Sequence, residues 1–539
     1  MTQNLWYKDA IFYEVYVRAF FDSNGDGNGD LRGLAQKLDY LKELGVDCLW
    51  ILPIYPSPLK DDGYDISNYY DVHPAFGNLD DFKGLLDAAH ERGLRVIMDL
   101  ALNHTSDQHP WFRAARADPH SPFRNYYVWS DTDSKFRGAR VIFQDTEKSN
   151  WAWDEQSKQY YWHRFYSFQP DLNYDNPKVQ EEILKIISFW LDLGVDGFRA
   201  DAVPYLFERE GTNCENLPET HAFLRKIRRY INKHYPGRIL LAEANQWPED
   251  ILPYFGNGND EFHMGFHFPI MPRIFMALRK ADRGPLVWIM ERTPVIHQAN
   301  QWGLFLRNHD ELTLEMVTEE ERQWMWENYA PEPRMRLNLG IRRRLAPLLD
   351  DDRRKIELAH SLLFTLPGSP IIYYGDELGM GDNIWLADRN GVRTPMQWAA
   401  GENAGFSKAS DQSLYAPVIG AELYGPARIS VEKQQAEAGS LWNTVRRMIA
   451  ARKQSRIFGW GKFEWVDCGN DRIAAYRRSH GERIILALHN LADSPQSVTV
   501  DISSDPRGEF NDLLTGKVFP FEKGKAAITL DGYQFLWLK

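Results

Sequence analysis

The segment DDFKGLLDAAHERG (80–93), followed by RVIMDLALNH (95–104), sets the reading of this chain. The first part has helical texture and stops at Gly93, a common helix ending. The second is an apolar run of strand-forming residues that finishes in polar groups, Asn103 and His104. A helix that leads into a buried strand is one repeat of a parallel sheet.

The repeat recurs. LAQKLDYLKELG (34–45) precedes CLWILP (48–53), and VQEEILKIISFWLDLG (179–194) precedes GVDGFRADA (194–202). HAFLRKIRRYINKHYPG (221–237) precedes RILLAEA (238–244). IFYEVYVRAF (11–20), EFHMGFHF (261–268), GLFLRNHD (303–310) and SPIIYYGDE (369–377) complete eight strand candidates. Eight such repeats predict an α/β protein built on a closed (β/α)8 TIM barrel. No G-x-G-x-x-G follows a strand, which argues against dinucleotide binding.

Two stretches interrupt the alternation. Residues 105–176 are long, aromatic and rich in Pro and Asp, so they are expected to form an inserted B subdomain after strand three. Residues 311–355 carry EEERQWMWENYA and RMRLNLGIRRRL, a smaller helical insertion before strand eight. Short alternating runs after residue 455, among them IAAYRRS, RIILALHNL, QSVTVDI and AAITLDG, predict an antiparallel C-terminal β-domain over 455–539. The barrel then comprises 1–104 and 177–454.

Composition excludes several classes. The 539 residues are 43% hydrophobic and 26% charged, ordinary for a globular protein. A formal charge of -12 makes a poor binder of nucleic acid or anionic membrane. No run approaches the ~18 apolar residues of a membrane span. The start, MTQNLWYKDA, has no basic stretch leading into an apolar one, and Cys48, Cys214 and Cys468 lie far apart. A reduced, cytoplasmic location is therefore expected. The 19 Trp fit either a large core or a site that stacks on sugar faces.

Barrel active sites form at the C-terminal strand ends, and these ends are acidic. Strand four carries Arg199 and Asp201, strand five ends at Glu243 and Asn245, and strand seven ends at Asn308-His309-Asp310. Barrel closure would gather Asp201, Glu243 and Asp310, with Arg199 on the same strand face as Asp201. Three carboxylates, an Arg and the histidines His104 and His309 in one place are electrostatically costly, and a fold does not need them for stability.

These motifs, DLALNH, GFRAD, the Glu after strand five and NHD, resemble in order and spacing the four signature regions of the α-amylase superfamily, glycoside hydrolase family 13. The resemblance implies a B subdomain after strand three and a C-terminal β-sandwich. It implies that Asp201 is the nucleophile, Glu243 the general acid/base and Asp310 the transition-state stabiliser. Retaining glycosidases set two carboxyls ~5–5.5 Å apart for this purpose. His104 and His309 would bind sugar hydroxyls. Tyr64, in Lys60-Asp61-Asp62-Gly63-Tyr64-Asp65, would stack beneath the glucose. Asp61 would bind its non-reducing end and pair with Arg393, closing the pocket against longer glucans.

Asp22, Asn24, Asp26, Asn28 and Asp30 alternate with small residues, as in the first half of an EF-hand loop. Position 12 is Gly33 rather than Glu, so an EF-hand is rejected but a Ca²⁺ loop is retained. The resemblance implies a second Ca²⁺ site at Asn103, Asp171, Tyr205, Leu206 and Glu208. Both ions would be structural.

Hydrolysis and isomerisation share this chemistry and differ in what attacks the glucosyl-enzyme. SFQPDLNYDNP (167–177), Arg209–His221 and LRNHDELTLEMVTEEE (306–321) resemble the trehalose synthases of the superfamily. That implies intramolecular glucosyl transfer between maltose and α,α-trehalose, with minor hydrolysis. The two insertions would be the lids, an Arg140–Glu315 ion pair the gate, and Asn245 a guide for the second glucose. The alternatives are an α-glucosidase or oligo-1,6-glucosidase, and a non-catalytic scaffold, against which the complete acid set argues. Relatives are commonly homo-oligomers, which no residue here indicates.

Overall fold

The computed structural model describes residues 5–420, 422–501, 509–520 and 525–539. Eight parallel strands close a barrel: β1 (Phe12–Val15), β2 (Cys48–Ile51), β3 (Arg95–Ala101), β4 (Gly197–Asp201), β5 (Ile239–Ala242), β6 (Met264–Phe266), β7 (Gln301–Phe305) and β8 (Ser369–Tyr373). The ladder order is β1-β8-β7-β6-β5-β4-β3-β2. The strands are shorter than the apolar runs that mark them. In 11–20 the strand gives way at Tyr16 to a helical turn, Val17–Phe20. That turn packs against the Asp22–Asp30 loop so closely that a Cβ on Gly29 would meet the Val17 carbonyl oxygen at 2.1 Å.

Register sets the site. Asp99 on β3 pairs with Arg199 on β4, and Ala101 with Asp201. Ala200 pairs with Ala242, and the Glu243 N–H donates to the Ala200 carbonyl at 3.0 Å. Asp99, Arg199, Asp201 and Glu243 therefore occupy adjoining positions at one end of the barrel.

The 105–176 excursion leaves and returns at the tip of β3. Leu172 N–H donates to the Asn103 carbonyl at 2.8 Å, and Thr105 N–H to the Pro170 carbonyl at 3.1 Å. It holds a helix, Pro110–Ala117, and a three-stranded antiparallel sheet of 129–130, 159–162 and 151–154. Within 311–355 a helix, Glu319–Tyr329, starts with a reciprocal cap between Thr318 and Glu321. Buried Arg273 pins it to the barrel through Glu321 at 3.0 Å. The helix that leads into β8 starts at Arg353.

Among the described residues after 461 the strands are all antiparallel. β9 (Lys462–Trp465), β10 (Ile473–His480), β11 (Arg483–Asn490) and β16 (Phe535–Leu538) make one sheet. β12 (Gln496–Asp501) pairs with β15 (Lys525–Leu530), and β13 (Glu509–Asn511) with β14 (Val518–Pro520). Ile502, the last residue of the expected QSVTVDI strand, lies outside the described residues. Ile473, Leu488, Val498, Ile528 and Leu536 share a small core between the sheets. The domain docks on the barrel through polar ties, such as Trp537 Nε1 to Ser361 Oγ at 2.8 Å.

Candidate active site

Asp201, Glu243 and Asp310 line one pocket at the C-terminal barrel face, about 850 Å³ including the solvent at its mouth. Asp61, Tyr64, His104 and Asn245 line it too, as do Glu311, Glu315 and Arg389. The acidic strand ends thus converge as the barrel reading requires.

Arg199 holds three of the acids together from below. Its Nη1 lies 2.6 Å from Asp99 Oδ1 and 2.5 Å from Asp201 Oδ1, while its Nη2 contacts Glu243. Trp50 Nε1 donates to the other Asp99 oxygen at 2.7 Å. Burial pushes Asp201 up to about 6, against the pull of Arg199. Burial raises Glu243 well above the usual carboxylate range, again opposed by Arg199, and the Asp201 charge adds to the rise. The two carboxyls share a hydrogen bond. The pair therefore ionises in order: Asp201 first, with Glu243 keeping its proton. A carboxylate that attacks beside an acid that protonates is the division of labour a retaining glycosidase needs.

Asp310 is the opposite case. Burial disfavours its charge, but Arg389, Arg393 and Arg199, with the His309 ring beside it, outweigh burial and hold it well below the usual range. Arg389 Nη1 and Arg393 Nη2 reach its Oδ1 at 2.7 and 3.1 Å, and His309 Nε2 lies 3.1 Å from Oδ2. Tyr64 stacks face to face on His309 with centroids 5.5 Å apart, and its hydroxyl lies 2.8 Å from His309 Nε2.

The wall of the pocket differs from expectation. Asp61 does not pair with Arg393. Its Oδ1 accepts from Arg389 Nη2 at 2.6 Å, and its Oδ2 from Gln169 at 2.9 Å. Arg393 instead ties Asp62 at 2.5 Å and the His309 carbonyl at 2.9 Å. A short 3-10 turn, Asn390–Val392, separates the two arginines and feeds them into different layers of the wall. The four-residue offset between Arg389 and Arg393 was the available signal.

His104 is buried, and neither ring nitrogen has a hydrogen-bond partner. Burial lowers its pKa to about 4, so it presents a neutral imidazole to the pocket. Asn245 donates to Thr313 Oγ1 at 3.0 Å and leaves its oxygen free. Glu311, missed in the sequence, is pushed up to about 7 by burial, with Arg389 opposing. Ile142, Phe143, Phe165 and Phe268 supply the apolar part of the lining. Arg140 of the B subdomain does meet Glu315 of the second insertion, Nη1 to Oε2 at 2.9 Å. Its Nε is held by Glu215 at 2.9 Å, and its Nη2 reaches the Tyr205 hydroxyl at 3.3 Å.

The two proposed cation positions differ in character. In the Asp22–Asp30 loop the side-chain oxygens accept from the loop's own N–H groups: Asp22 from Gly25 and Gly27 at 2.7 and 2.8 Å, Asp26 from Asn28 at 2.8 Å. Asp30 caps the next helix through Gly33 N–H at 2.7 Å, and Asn24 accepts from Asp26 N–H at 2.9 Å. Asn28 accepts from Arg18 at 2.9 Å. At the second position buried oxygens lack partners: Asn103 Oδ1, Asp171 Oδ2 and Glu208 Oε1. Burial pushes Asp171 up to about 8 and Glu208 well above its usual range. Buried, unpartnered oxygens of this kind fit a hard cation. Tyr205 and Leu206 are buried on the adjoining turn. Among the described residues no group of three or more His, Cys, Asp or Glu side chains forms a metal cluster, so this donor set includes an amide.

The family model for the α-amylase catalytic domain matches residues 14–461, and that for the maltogenic amylase C-terminal domain matches 463–537. The trehalose synthase/amylase TreS of Mycolicibacterium smegmatis is 55% identical, over 100% of this chain and 93% of its own. The trehalose synthase of a Pimelobacter species is 54% identical, over 99% and 96%. The crystal structure of the trehalulose synthase MutB from Pseudomonas mesoacidophila superposes with a TM-score of 0.81 at 28% identity, covering 99% of both chains. With its closed barrel, its paired acids on Arg199 and its family model spanning most of the sequence, this chain belongs to the α-amylase family.

Proposed function

We propose that the chain interconverts maltose and α,α-trehalose by retaining, intramolecular glucosyl transfer. Asp201 attacks the anomeric carbon while Glu243 protonates the leaving glucose oxygen. The glucose stays in the pocket and turns. Glu243, now a base, then takes the proton from its C1 hydroxyl as that oxygen displaces Asp201. Asp310 holds hydroxyls of the bound ring and favours the flattened transition state. The observation that carries this reading is the placement of Asp201 and Glu243 on one guanidinium, inside a pocket whose far wall is Asp61–Arg389–Asp310.

Isomerisation rather than hydrolysis is favoured by the Arg140–Glu315 contact between the two insertions at the pocket. Such a contact keeps the free glucose in and water out. Full-length likeness to relatives named trehalose synthase supports the same choice. A maltose time course followed through the anomeric protons by NMR tests it. Trehalose is expected as the main product; glucose as the dominant early product overturns the isomerase in favour of an α-glucosidase.

Ca²⁺ is proposed at Asn103, Asp171 and Glu208, with the Tyr205 and Leu206 turn, and at Asp22, Asn24, Asp26, Asn28 and Asp30. Its role is structural: beside Asp171 and Glu208 it neutralises two buried carboxylates where the B subdomain meets the loop after Asp201. A reduced, cytoplasmic setting agrees with three free thiols and with no described helix long and apolar enough to cross a membrane. Self-association is an expectation that size-exclusion with light scattering decides.

A further inference from the structure

Glu14, on β1, is fully buried behind the pocket and does not line it. In register it lies between Trp50 on β2 and Tyr373 on β8. Its Oε1 serves one residue twice: it accepts the His309 backbone N–H at 3.2 Å and lies 2.5 Å from His309 Nδ1. Its Oε2 is buried and has no hydrogen-bond partner. Across the ring, His309 Nε2 faces the Tyr64 hydroxyl at 2.8 Å and Asp310 Oδ2 at 3.1 Å. Tyr64 stacks on one face of the ring, and the Trp50 ring stands perpendicular to it at 5.8 Å. Packing thus fixes where the imidazole sits. Which nitrogen carries the proton is left to its neighbours.

The Nε2 contact with Asp310 Oδ2 and the unpartnered Oε2 decide that question. The backbone N–H requires an acceptor at Oε1. A carboxylic acid oxygen can accept that N–H and still donate its own proton to Nδ1. Nε2 then carries the ring proton and donates to Asp310. An ionised Glu14 would draw the proton to Nδ1 and leave a bare Nε2 lone pair facing a carboxylate oxygen. The unpartnered Oε2 agrees with the neutral acid, because an unpaired neutral carbonyl costs less than an unpaired carboxylate oxygen.

The charged surroundings point the same way. Burial disfavours ionised Glu14 most, and Asp310 and Asp99 add to this, while the His309 backbone N–H and Arg199 oppose it. Burial disfavours the imidazolium most, and Arg393, Arg199 and Arg389 add to this, with Asp310 opposing. A neutral acid beside a neutral imidazole is the state both sides favour.

We propose that Glu14 is a positioning residue for glucosyl transfer, its acid O–H donating to His309 Nδ1 and thereby holding Nε2–H on Asp310. With Arg389 and Arg393 on Oδ1 and His309 on Oδ2, the Asp310 carboxylate is fixed in the plane that meets the sugar hydroxyls. The proposal rests on the reading of Asp310 as transition-state stabiliser.

The test uses the full chain labelled with 15N-histidine, with the His309 resonances assigned by their loss in H309N. In the unsubstituted protein Nε2 is expected to be protonated and Nδ1 bare from pH 5.5 to 8. A proton on Nδ1 overturns the proposal, whatever the variants do. In Glu14→Gln the amide oxygen must face the backbone N–H, so the tautomer is expected to switch to Nδ1–H. The kcat for maltose is then expected to fall roughly 10- to 100-fold, as for lost supporting hydrogen bonds elsewhere. KM should move far less than kcat. An unchanged kcat, or a lower kcat without the switch, overturns the proposal. A parent protein that fails to interconvert maltose and trehalose would sink the reading of the reaction. The 15N spectrum would still decide the Glu14–His309 pair.

Discussion

Arg389 bridges Asp61 and Asp310, with Nη2 2.6 Å from the first and Nη1 2.7 Å from the second. One planar cation thus ties the end wall of the pocket to the acid proposed to stabilise the transition state. Arg389→Ala leaves both carboxylates short of a buried partner, a loss worth roughly 3–5 kcal/mol. The kcat/KM for maltose is expected to fall at least about 100-fold, since 1.4 kcal/mol is about tenfold. Arg389→Lys should recover only part, because an ammonium cannot span both acids. Steady-state kinetics of the two variants check this; a silent Arg389→Ala would refute the wall.

Asp201→Asn and Glu243→Gln are each expected to lose several orders of magnitude in kcat on maltose. They should differ on α-glucosyl fluoride, whose leaving group needs no proton. Glu243→Gln is expected to release fluoride rapidly for one turnover, and Asp201→Asn not at all. Equal behaviour of the two on the fluoride would contradict the assigned roles.

The pH profile follows from the same pair. The proposed mechanism requires Asp201 ionised and Glu243 protonated. Asp201 titrates near 6, so kcat/KM is expected to rise with pH through about 6. Glu243 is raised above Asp201, so the alkaline fall reports its deprotonation. In Glu243→Gln the alkaline limb should disappear from the residual rate. Its persistence would point to another group.

Loosening the contact between the insertions should change products before it changes affinity. Glu315→Gln and Arg140→Ala remove the 2.9 Å ion pair but leave Asp201, Glu243 and Asp310 in place. The glucose fraction from maltose is expected to increase several-fold, with trehalose falling in step. Product ratios by NMR measure it, and an unaltered ratio would show that this pair does not retain the sugar.

Chelation should destabilise the protein. A ligand that binds only the folded state adds about 2.7 kcal/mol at a hundred times its Kd. EDTA is expected to lower Tm by several degrees, and Ca²⁺ to restore it. In Asp171→Asn the response to EDTA should shrink, because the buried anionic oxygens that draw the ion are halved. Differential scanning calorimetry checks both, and equal sensitivity in parent and variant would place the ion elsewhere.

The order of elements and the acids at their ends are written in the sequence. Strand-forming runs after glycine-stopped helices are local signals, and Asp201, Glu243 and Asp310 are legible because a barrel brings every strand end to one face. The partners of Asp61 and Asp62 are not local. Arg389 lies 328 residues from Asp61, and whether it or Arg393 meets that acid depends on how the Asn390–Val392 turn aims the two side chains. Glu14 was hidden for a related reason. An acid in the middle of an apolar run shows its meaning only when barrel closure sets it against His309, 295 residues away. Periodicity determines which face of an element is buried. Which buried charges then share a hydrogen bond is decided by side-chain geometry across the closed barrel, where Coulomb interactions strengthen as water is excluded.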